Sequence, residues 1–119
     1  MANCDFVEGD AYEIEVLVPR PVDFVFLANV FHGVPDRSRL AKVISTVLKP
    51  GGLFSIVNWH PRPREETTIL GEPRGPKTEL RMSPKETVGS VLGVKPAFKC
   101  VKVVEVPPYH YGAVFQRLE

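Results

Sequence analysis

A strand–helix–strand pattern between residues 22 and 59 constrains the fold more than any other feature of the sequence. Val22 to Ala28 is a short, nearly continuous apolar run with β-branched and aromatic residues, which predicts a strand buried on both faces, as in parallel sheets. Arg37 to Leu48 follows Asp36, which suits an N-cap, and carries one apolar stripe at helical spacing. Leu53 to Trp59 predicts a second buried strand. Because the joints are short, these segments predict a βαβ unit with a right-handed crossover.

The four residues Lys49-Pro50-Gly51-Gly52 separate the predicted helix from the second strand. Proline cannot continue a helix and glycine accepts a left-handed turn, so this segment predicts a helix stop. A nucleotide-binding loop needs the opposite order, with glycines after a strand and before a helix. The glycine pair therefore does not predict a nucleotide site.

The second half of the chain begins with a long irregular segment. From His60 to Met82, prolines and glycines break every period, which predicts a loop of the kind that often serves as a lid. Ser83-Pro84-Lys85-Glu86 then predicts a helix start, with serine as the cap and glutamate three residues later. Phe98 to Val106 and His110 to Leu118 predict two closing strands. These strands should be antiparallel, because the Pro107-Pro108 joint is too short for a crossover.

Composition limits the class of protein and its partners. The 119 residues suffice for one domain and not for two, and the net charge of +1 gives no overall attraction to nucleic acid. No apolar run approaches the roughly 20 residues needed to cross a bilayer. We therefore expect a cytoplasmic protein with no nucleic-acid partner and no membrane span. Cys4 and Cys100 form no CxxC pattern and should be reduced, and no cysteine or histidine spacing predicts a metal site.

The charges of the long loop predict a solvated surface. Glutamates interleave with its basic residues, so a nucleic-acid patch is the less favoured interpretation. Trp59 and His60 end the second strand, where they could line an acceptor pocket, although Trp59 could equally pack beneath the loop. The basic residues concerned are Arg62, Arg64, Arg74, Lys77 and Arg81.

Four segments carry a more specific signal: Phe6 to Ala11 (FVEGDA), Asp23 to Asp36 (DFVFLANVFHGVPD), Val47 to Ile56 (VLKPGGLFSI) and Val106 to Phe115 (VPPYHYGAVF). In this order and at these separations they resemble the class I, Rossmann-like S-adenosylmethionine-dependent methyltransferases, and more closely their type 11 branch. In the family's strand numbering, the first segment corresponds to the end of strand three and the second to strand four and its loop. The third corresponds to the next helix, its turn and strand five, and the fourth to strands six and seven.

The resemblance implies an α/β fold that is the carboxyl-terminal half of a Rossmann-like methyltransferase sheet. Its strand order would be 4-5-7-6 in the family's numbering, with an antiparallel last strand and helices packed on the sheet. Residues 1–119 would then form a single truncated domain in which residues 60–82 are the long loop and a candidate lid. The GxGxG loop of the family, and the acidic residue that ends its second strand, do not occur in this sequence.

The resemblance also implies a set of cofactor contacts. The Asp10 carboxylate would accept a hydrogen bond from the adenine amino group of S-adenosylmethionine, and the backbone amide of Ala11 would meet the ring. Ala28 and Asn29, after strand four, would complete the one wall of the cleft that the chain retains. His32 is the best candidate for a catalytic group near the methyl. Two plainer interpretations stay open: Asp10 as a turn residue after Gly9, and His32 as a loop residue that only forms hydrogen bonds.

The resemblance also predicts a function and a reason why the isolated chain should lack it. The expected activity is methyl transfer from S-adenosylmethionine to a small-molecule acceptor, but the isolated chain should be inactive because much of the cofactor contact is absent. The alternative is a non-catalytic, self-associating or protein-binding remnant. An exposed apolar edge at residues 22–28 predicts a homodimer, or pairing with a separately encoded amino-terminal half. A third interpretation is a small α/β binding module unrelated to methyltransferases.

Overall fold

The computed structural model describes residues 3–19, 21–94 and 97–118. Residues 3–9 form no helix or strand, so the predicted end of a strand before Asp10 is not observed. No helix in these ranges is both long and apolar enough to span a membrane. The elements are α1 (Ile14–Leu17), β1 (Val22–Ala28), α2 (Arg37–Val47), β2 (Leu48–Trp59), β3 (Thr68–Ile69), β4 (Glu72–Pro73), α3 (Pro84–Leu92), β5 (Phe98–Val106) and β6 (His110–Arg117).

The main sheet has four strands in the order β1-β2-β6-β5. Strand β1 pairs with β2 in parallel, whereas β6 is antiparallel to both β2 and β5. The last strand of the chain therefore lies between the second and the penultimate strands of the main sheet. This arrangement confirms the predicted α/β class and half-sheet, with its antiparallel last strand.

Helices α2 and α3 begin where the sequence predicts. The Asp36 carboxylate accepts a hydrogen bond from the Arg39 amide at 3.0 Å, which caps α2. Ser83 and Glu86 form a reciprocal capping box at the start of α3. Both helices pack on one face of the sheet, where their apolar side chains meet those of β2, β5 and β6. The centre of this core contains Leu40, Ile44, Phe54, Ile56, Val91, Phe98 and Phe115.

Strand β1 is partly buried on one face and exposed on the other, so the prediction of burial on both faces is wrong. Val25 and Leu27 pack against the core, while Phe24 and Phe26 on the opposite face are 53% and 58% exposed. The reason is that the described helices cover only the core side of the sheet. Strand β1 is also an edge strand, since it pairs with β2 and with no other described strand.

The segment from Lys49 to Gly52 belongs to β2, which begins five residues earlier than predicted. Val22 pairs with Leu48 and Phe24 pairs with Leu53, so a two-residue step on β1 faces a five-residue step on β2. The extra residues form a bulge. An ion pair of 2.9 Å between Lys49 and Asp23 crosses it.

The loop of residues 60–82 is organised around Arg81, which is only 6% exposed. Its Nη2 donates hydrogen bonds to Thr67 Oγ1 at 3.0 Å and to the carbonyl oxygens of Arg74 at 3.0 Å and Pro76 at 3.1 Å. The guanidinium also lies 5.0 Å from the ring centroid of Trp59. Arg81 is therefore a structural residue and not a solvated charge, which corrects the sequence interpretation. Trp59 packs beneath the loop, the second of its two predicted roles.

Candidate functional site

The segment around Asp10 is held against the beginning of α2. The Asp10 carboxylate accepts a hydrogen bond from the Tyr12 amide at 2.9 Å and caps a single 3-10 turn, Ala11–Glu13. The Tyr12 hydroxyl in turn accepts a hydrogen bond from the Asp36 amide at 2.9 Å, and the Arg39 guanidinium lies 4.3 Å from the centroid of the Tyr12 ring. Since Asp36 ends the loop that leaves β1, the Asp10 segment contacts the end of that loop, at the start of α2.

Asp10 and Ala11 line a cavity of about 220 Å³. Its other lining residues are mostly apolar, and Asp10 supplies a carboxylate that retains acceptor capacity after it caps the turn. Apolar walls with one or two placed polar groups are typical of sites for flat heterocyclic ligands. The residues present therefore fit the adenine end of S-adenosylmethionine. The remaining lining residues are Val7, Gly9, Ile14, Leu17 and Val18.

Ala28 and Asn29 do not line that cavity, although both are exposed at the end of β1. The Asn29 amide donates to the Val57 carbonyl at 2.8 Å, which continues the pairing of β1 with β2 by one residue. Asn29 has a φ of 60°, a left-handed conformation that is uncommon for a residue other than glycine. Asp10 and Ala11 thus share a cavity that does not include Ala28 and Asn29, and the cofactor contacts of all four residues stay predictions.

His32 lies in a second 3-10 turn, Phe31–Gly33, directly after β1. The Phe31 side chain is completely buried in the core and anchors this turn. The Arg37 Nη2 donates to the His32 carbonyl at 2.7 Å. Burial lowers the pKa of His32, the Asn58 side chain raises it in part, and the charges of Arg37 and Arg81 lower it further. A neutral imidazole at the end of a sheet can accept a proton, so the geometry suits a general base.

A buried polar cluster lies near the carboxyl end of β2 and was not predicted from the sequence. Asn58 donates from Nδ2 to Thr87 Oγ1 at 3.2 Å and to Tyr111 Oη at 3.4 Å, and these two oxygens are 2.6 Å apart. All three side chains are completely buried. The one sequence signal was an asparagine near the end of a mostly apolar run, and its partners come from α3 and β6.

The other histidines are held by neighbouring side chains. His60 Nε2 lies 2.8 Å from Glu105 Oε1, so this ring is committed to a surface pair. The ring of His110 lies 4.2 Å from that of Trp59, centroid to centroid, and burial lowers its pKa, with further contributions from Arg81 and His60. In the described ranges no three histidine, cysteine, aspartate or glutamate side chains are grouped closely enough to hold a metal ion.

The parallel βαβ unit and the antiparallel closing hairpin match part of the fold of solved class I, Rossmann-like methyltransferases. Residues 1–56 match the family model described as a methyltransferase domain, of type 11. The resemblance to S-adenosylmethionine-dependent methyltransferases of that branch is therefore confirmed. No curated protein matches the chain significantly.

Solved structures give the same result. A protein from Sulfolobus solfataricus assigned as a type 11 methyltransferase is 28% identical, with a TM-score of 0.69 over 94% of this chain and 57% of its own. An S-adenosylmethionine-dependent methyltransferase from Aquifex aeolicus is 28% identical, with a TM-score of 0.67 over 85% of this chain and 50% of its own. The N-methyltransferase NodS from Bradyrhizobium japonicum WM9, solved with S-adenosyl-L-homocysteine, shares the fold at 14% identity and a TM-score of 0.62, over 93% of this chain and 53% of its own. The chain spans about half the length of these structures.

Proposed function

We propose that the chain forms one side of the active site of an S-adenosylmethionine-dependent methyltransferase that acts on a small-molecule acceptor. The observation that carries the proposal is the cavity at Asp10 and Ala11, whose segment is bonded through Tyr12 to the end of the loop that follows β1, the loop that also contains His32. Ligands of open α/β sheets bind at the carboxyl ends of the strands. A cytoplasmic location stays a prediction from the sequence.

The residues of the chain have distinct parts in this reaction. When bound, S-adenosylmethionine supplies an electrophilic methyl group on a sulfonium centre. Asp10 accepts the adenine amino group and the Ala11 amide meets the ring, which orients the ligand. His32 takes the proton that an oxygen or nitrogen acceptor loses as it is methylated, a contribution that typically amounts to about 10²–10⁴-fold in rate.

Binding at the Asp10 cavity can be tested by NMR on the 119-residue chain. We expect S-adenosylmethionine, added at concentrations of about 1 mM and above, to change the chemical shifts of the backbone amides of Gly9, Asp10 and Ala11 in a concentration-dependent way. Affinity should be weak, since a cavity of about 220 Å³ is smaller than the roughly 300–1,000 Å³ typical of complete ligand sites. Asp10→Ala should abolish the shifts.

Asp5→Ala is the matched control, because it removes an equally exposed carboxylate that does not line the cavity. It should leave the shifts unchanged. Absence of shifts at the three cavity amides, or their persistence in Asp10→Ala, would refute the assignment of the adenine site. Micromolar affinity by calorimetry would refute the view that this half of the fold binds the cofactor only weakly.

The second candidate function is a self-associating protein, and the exposure of β1 favours it. This strand pairs on one side only among the described strands, and Phe24 and Phe26 lie next to each other on its exposed face with ring centroids 6.4 Å apart. An unprotected apolar edge strand tends to pair with another chain. We propose that residues 22–28 form the interface of a homodimer.

The dimer is tested by light scattering at about 100 μM, a concentration that detects association of a few μM affinity or tighter. The wild-type chain should have the mass of a dimer, and Phe26→Lys should be monomeric because it places a charge on the proposed interface. Val16→Lys changes an exposed apolar residue of α1, outside the sheet, and should stay dimeric. A monomeric wild-type chain, or equal effects of the two variants, would exclude this interface.

A further inference from the structure

The face of the main sheet that the described helices leave uncovered has a regular pattern across its strands. Residues that lie opposite one another in paired strands point to the same face, and the registers connect β1, β2, β6 and β5 in that order. Each row across the sheet therefore has four residues on this face, which we call the open face. Its three rows are Phe24, Leu53, Gln116 and Lys99; Phe26, Ser55, Val114 and Lys102; and Ala28, Val57, Gly112 and Val104.

The open face is aromatic along one edge and cationic along the other. On β1, Phe24 and Phe26 are each more than half exposed, and their ring planes are only 31° apart, so the two rings form one aromatic surface. On β5, Lys99 and Lys102 are exposed, and they are the only charged residues among the positions of the three rows. Each lysine therefore ends a row that a phenylalanine begins.

The third row is complementary to its own reverse in size. From β1 to β5 it reads alanine, valine, glycine and valine, so small and large side chains alternate. A reversed copy of this row would set Val104 opposite Ala28 and Val57 opposite Gly112. Two sheets that pack face to face interdigitate their side chains across about 10 Å, and large residues opposite small ones favour such packing.

We propose that two copies of the chain pack open face against open face about a two-fold axis that runs along the strands. This axis reverses the strand order, so β1 of one copy lies over β5 of the other and each row meets its own reverse. Lys99 then faces Phe24 of the partner subunit, and Lys102 faces Phe26 of the partner subunit, because aromatic ring faces attract cations. The inference rests on the proposed homodimer through residues 22–28 and specifies its geometry.

Charge and size favour this arrangement over its alternatives. A two-fold axis across the strands would also bring the open faces together, but it would place β5 over β5 and the lysines of the two copies near each other, which like charges disfavour. Edge-to-edge pairing of β1 would leave both phenylalanines in water. Strand and row spacings of about 4.8 and 6.7 Å make the open face roughly 20 by 20 Å. A standard interface occludes about 800 Å² per partner, so the dimer needs the whole open face, including its lysine edge.

The dissociation constant of the Lys102→Gln dimer, measured by analytical ultracentrifugation, distinguishes the two axes. The substitution removes the charge and keeps most of the side-chain stem. The dissociation constant should rise about tenfold, because every contact of a two-fold dimer occurs twice and both cation–aromatic contacts are lost. Lys42→Gln is the control, since it removes an exposed lysine charge from α2, outside the open face, and should leave dimerisation unchanged. An equally tight or tighter Lys102→Gln dimer would overturn the proposal, because relief of repulsion between lysines is expected for the other axis.

The contacts between copies can be observed directly by isotope-filtered NOE spectroscopy on an equimolar mixture of labelled and unlabelled wild-type chains. Signals should connect the Phe26 ring with the side-chain methylene protons of Lys102, and the Phe24 ring with those of Lys99. Within one copy these residues are three strands, or about 14 Å, apart, so the signals can arise only between copies. Signals between the backbones of two β1 strands would refute this geometry and leave the homodimer standing. A monomeric chain would exclude both, so the two failures are distinguishable.

Discussion

Replacing Phe54 by alanine should lower the free energy of unfolding by about 3–5 kcal/mol, the range for truncating a large buried aromatic side chain. Phe54 is completely buried in the middle of β2. Its ring packs with those of Phe98, at 5.9 Å, and Phe115, at 6.0 Å, centroid to centroid, and these two rings also contact each other. A loss of this size approaches the whole stability of a small domain, so the variant should be largely unfolded in urea concentrations that the wild-type chain resists.

Phe24→Ala is the matched control, because it removes the same side chain from the opposite face of the same sheet. Phe24 is about half exposed and has no helix over it in the described ranges. At a dilution where the chain is monomeric, its loss should cost about 1 kcal/mol or less, since about half of its surface is then in water. Equal losses for the two variants in the monomer would contradict the one-sided core.

The regular elements could be predicted from the sequence because their signals are local. Arg37 to Val47 carries a cap and an apolar stripe within one segment, and Ser83 to Glu86 contains a complete capping box. The antiparallel pairing of β5 and β6 follows from the short Pro107-Pro108 joint between them. Each of these predictions depends on residues no more than about a dozen positions apart.

The site was predicted in part, and the limit is again sequence distance. Asp10 and His32 follow from a resemblance that short motifs carry, and the structure places each in a defined turn. Asn58, in contrast, lies 29 positions from Thr87 and 53 from Tyr111, so only the folded protein brings them together. A polar residue in an apolar strand could be noticed in the sequence, but its partners could not.

Arg81 shows why composition misled in the long loop. Lys77 and Glu79, which precede it closely in sequence, are charged and exposed, and such charges favoured a solvated surface. A guanidinium has five donors in a planar fork, however, and this one meets carbonyl oxygens that a turn-rich loop leaves without partners. Burial of Arg81 is therefore a consequence of the loop's backbone, which has no simple sequence signature.

Gly52→Ala should destabilise the protein by about 3 kcal/mol, at the upper end of the usual cost of overpacking. A Cβ at Gly52 would lie 2.8 Å from the Lys49 carbonyl oxygen and 3.2 Å from that of Asp23. The first of these atoms belongs to the bulge of β2 and the second to β1, so relief of the clash requires the bulge to change shape and β1 to move away from it. Unfolding in urea measures the loss, and hydrogen exchange of the β1 amides should show where the protein opens.

Gly51→Ala separates close packing from backbone conformation. Gly51 has a φ of 82°, which glycine adopts freely, but a Cβ there would meet nothing closer than Gln116 Nε2 at 3.9 Å. The variant should therefore lose only about 1 kcal/mol, the cost of a left-handed residue with a side chain. The sequence gives the two glycines one role, a helix stop, whereas the structure gives the first a turn and the second a close approach of strands. If Gly51→Ala proves the more damaging variant, conformation and not packing governs the bulge that joins α2 to the sheet.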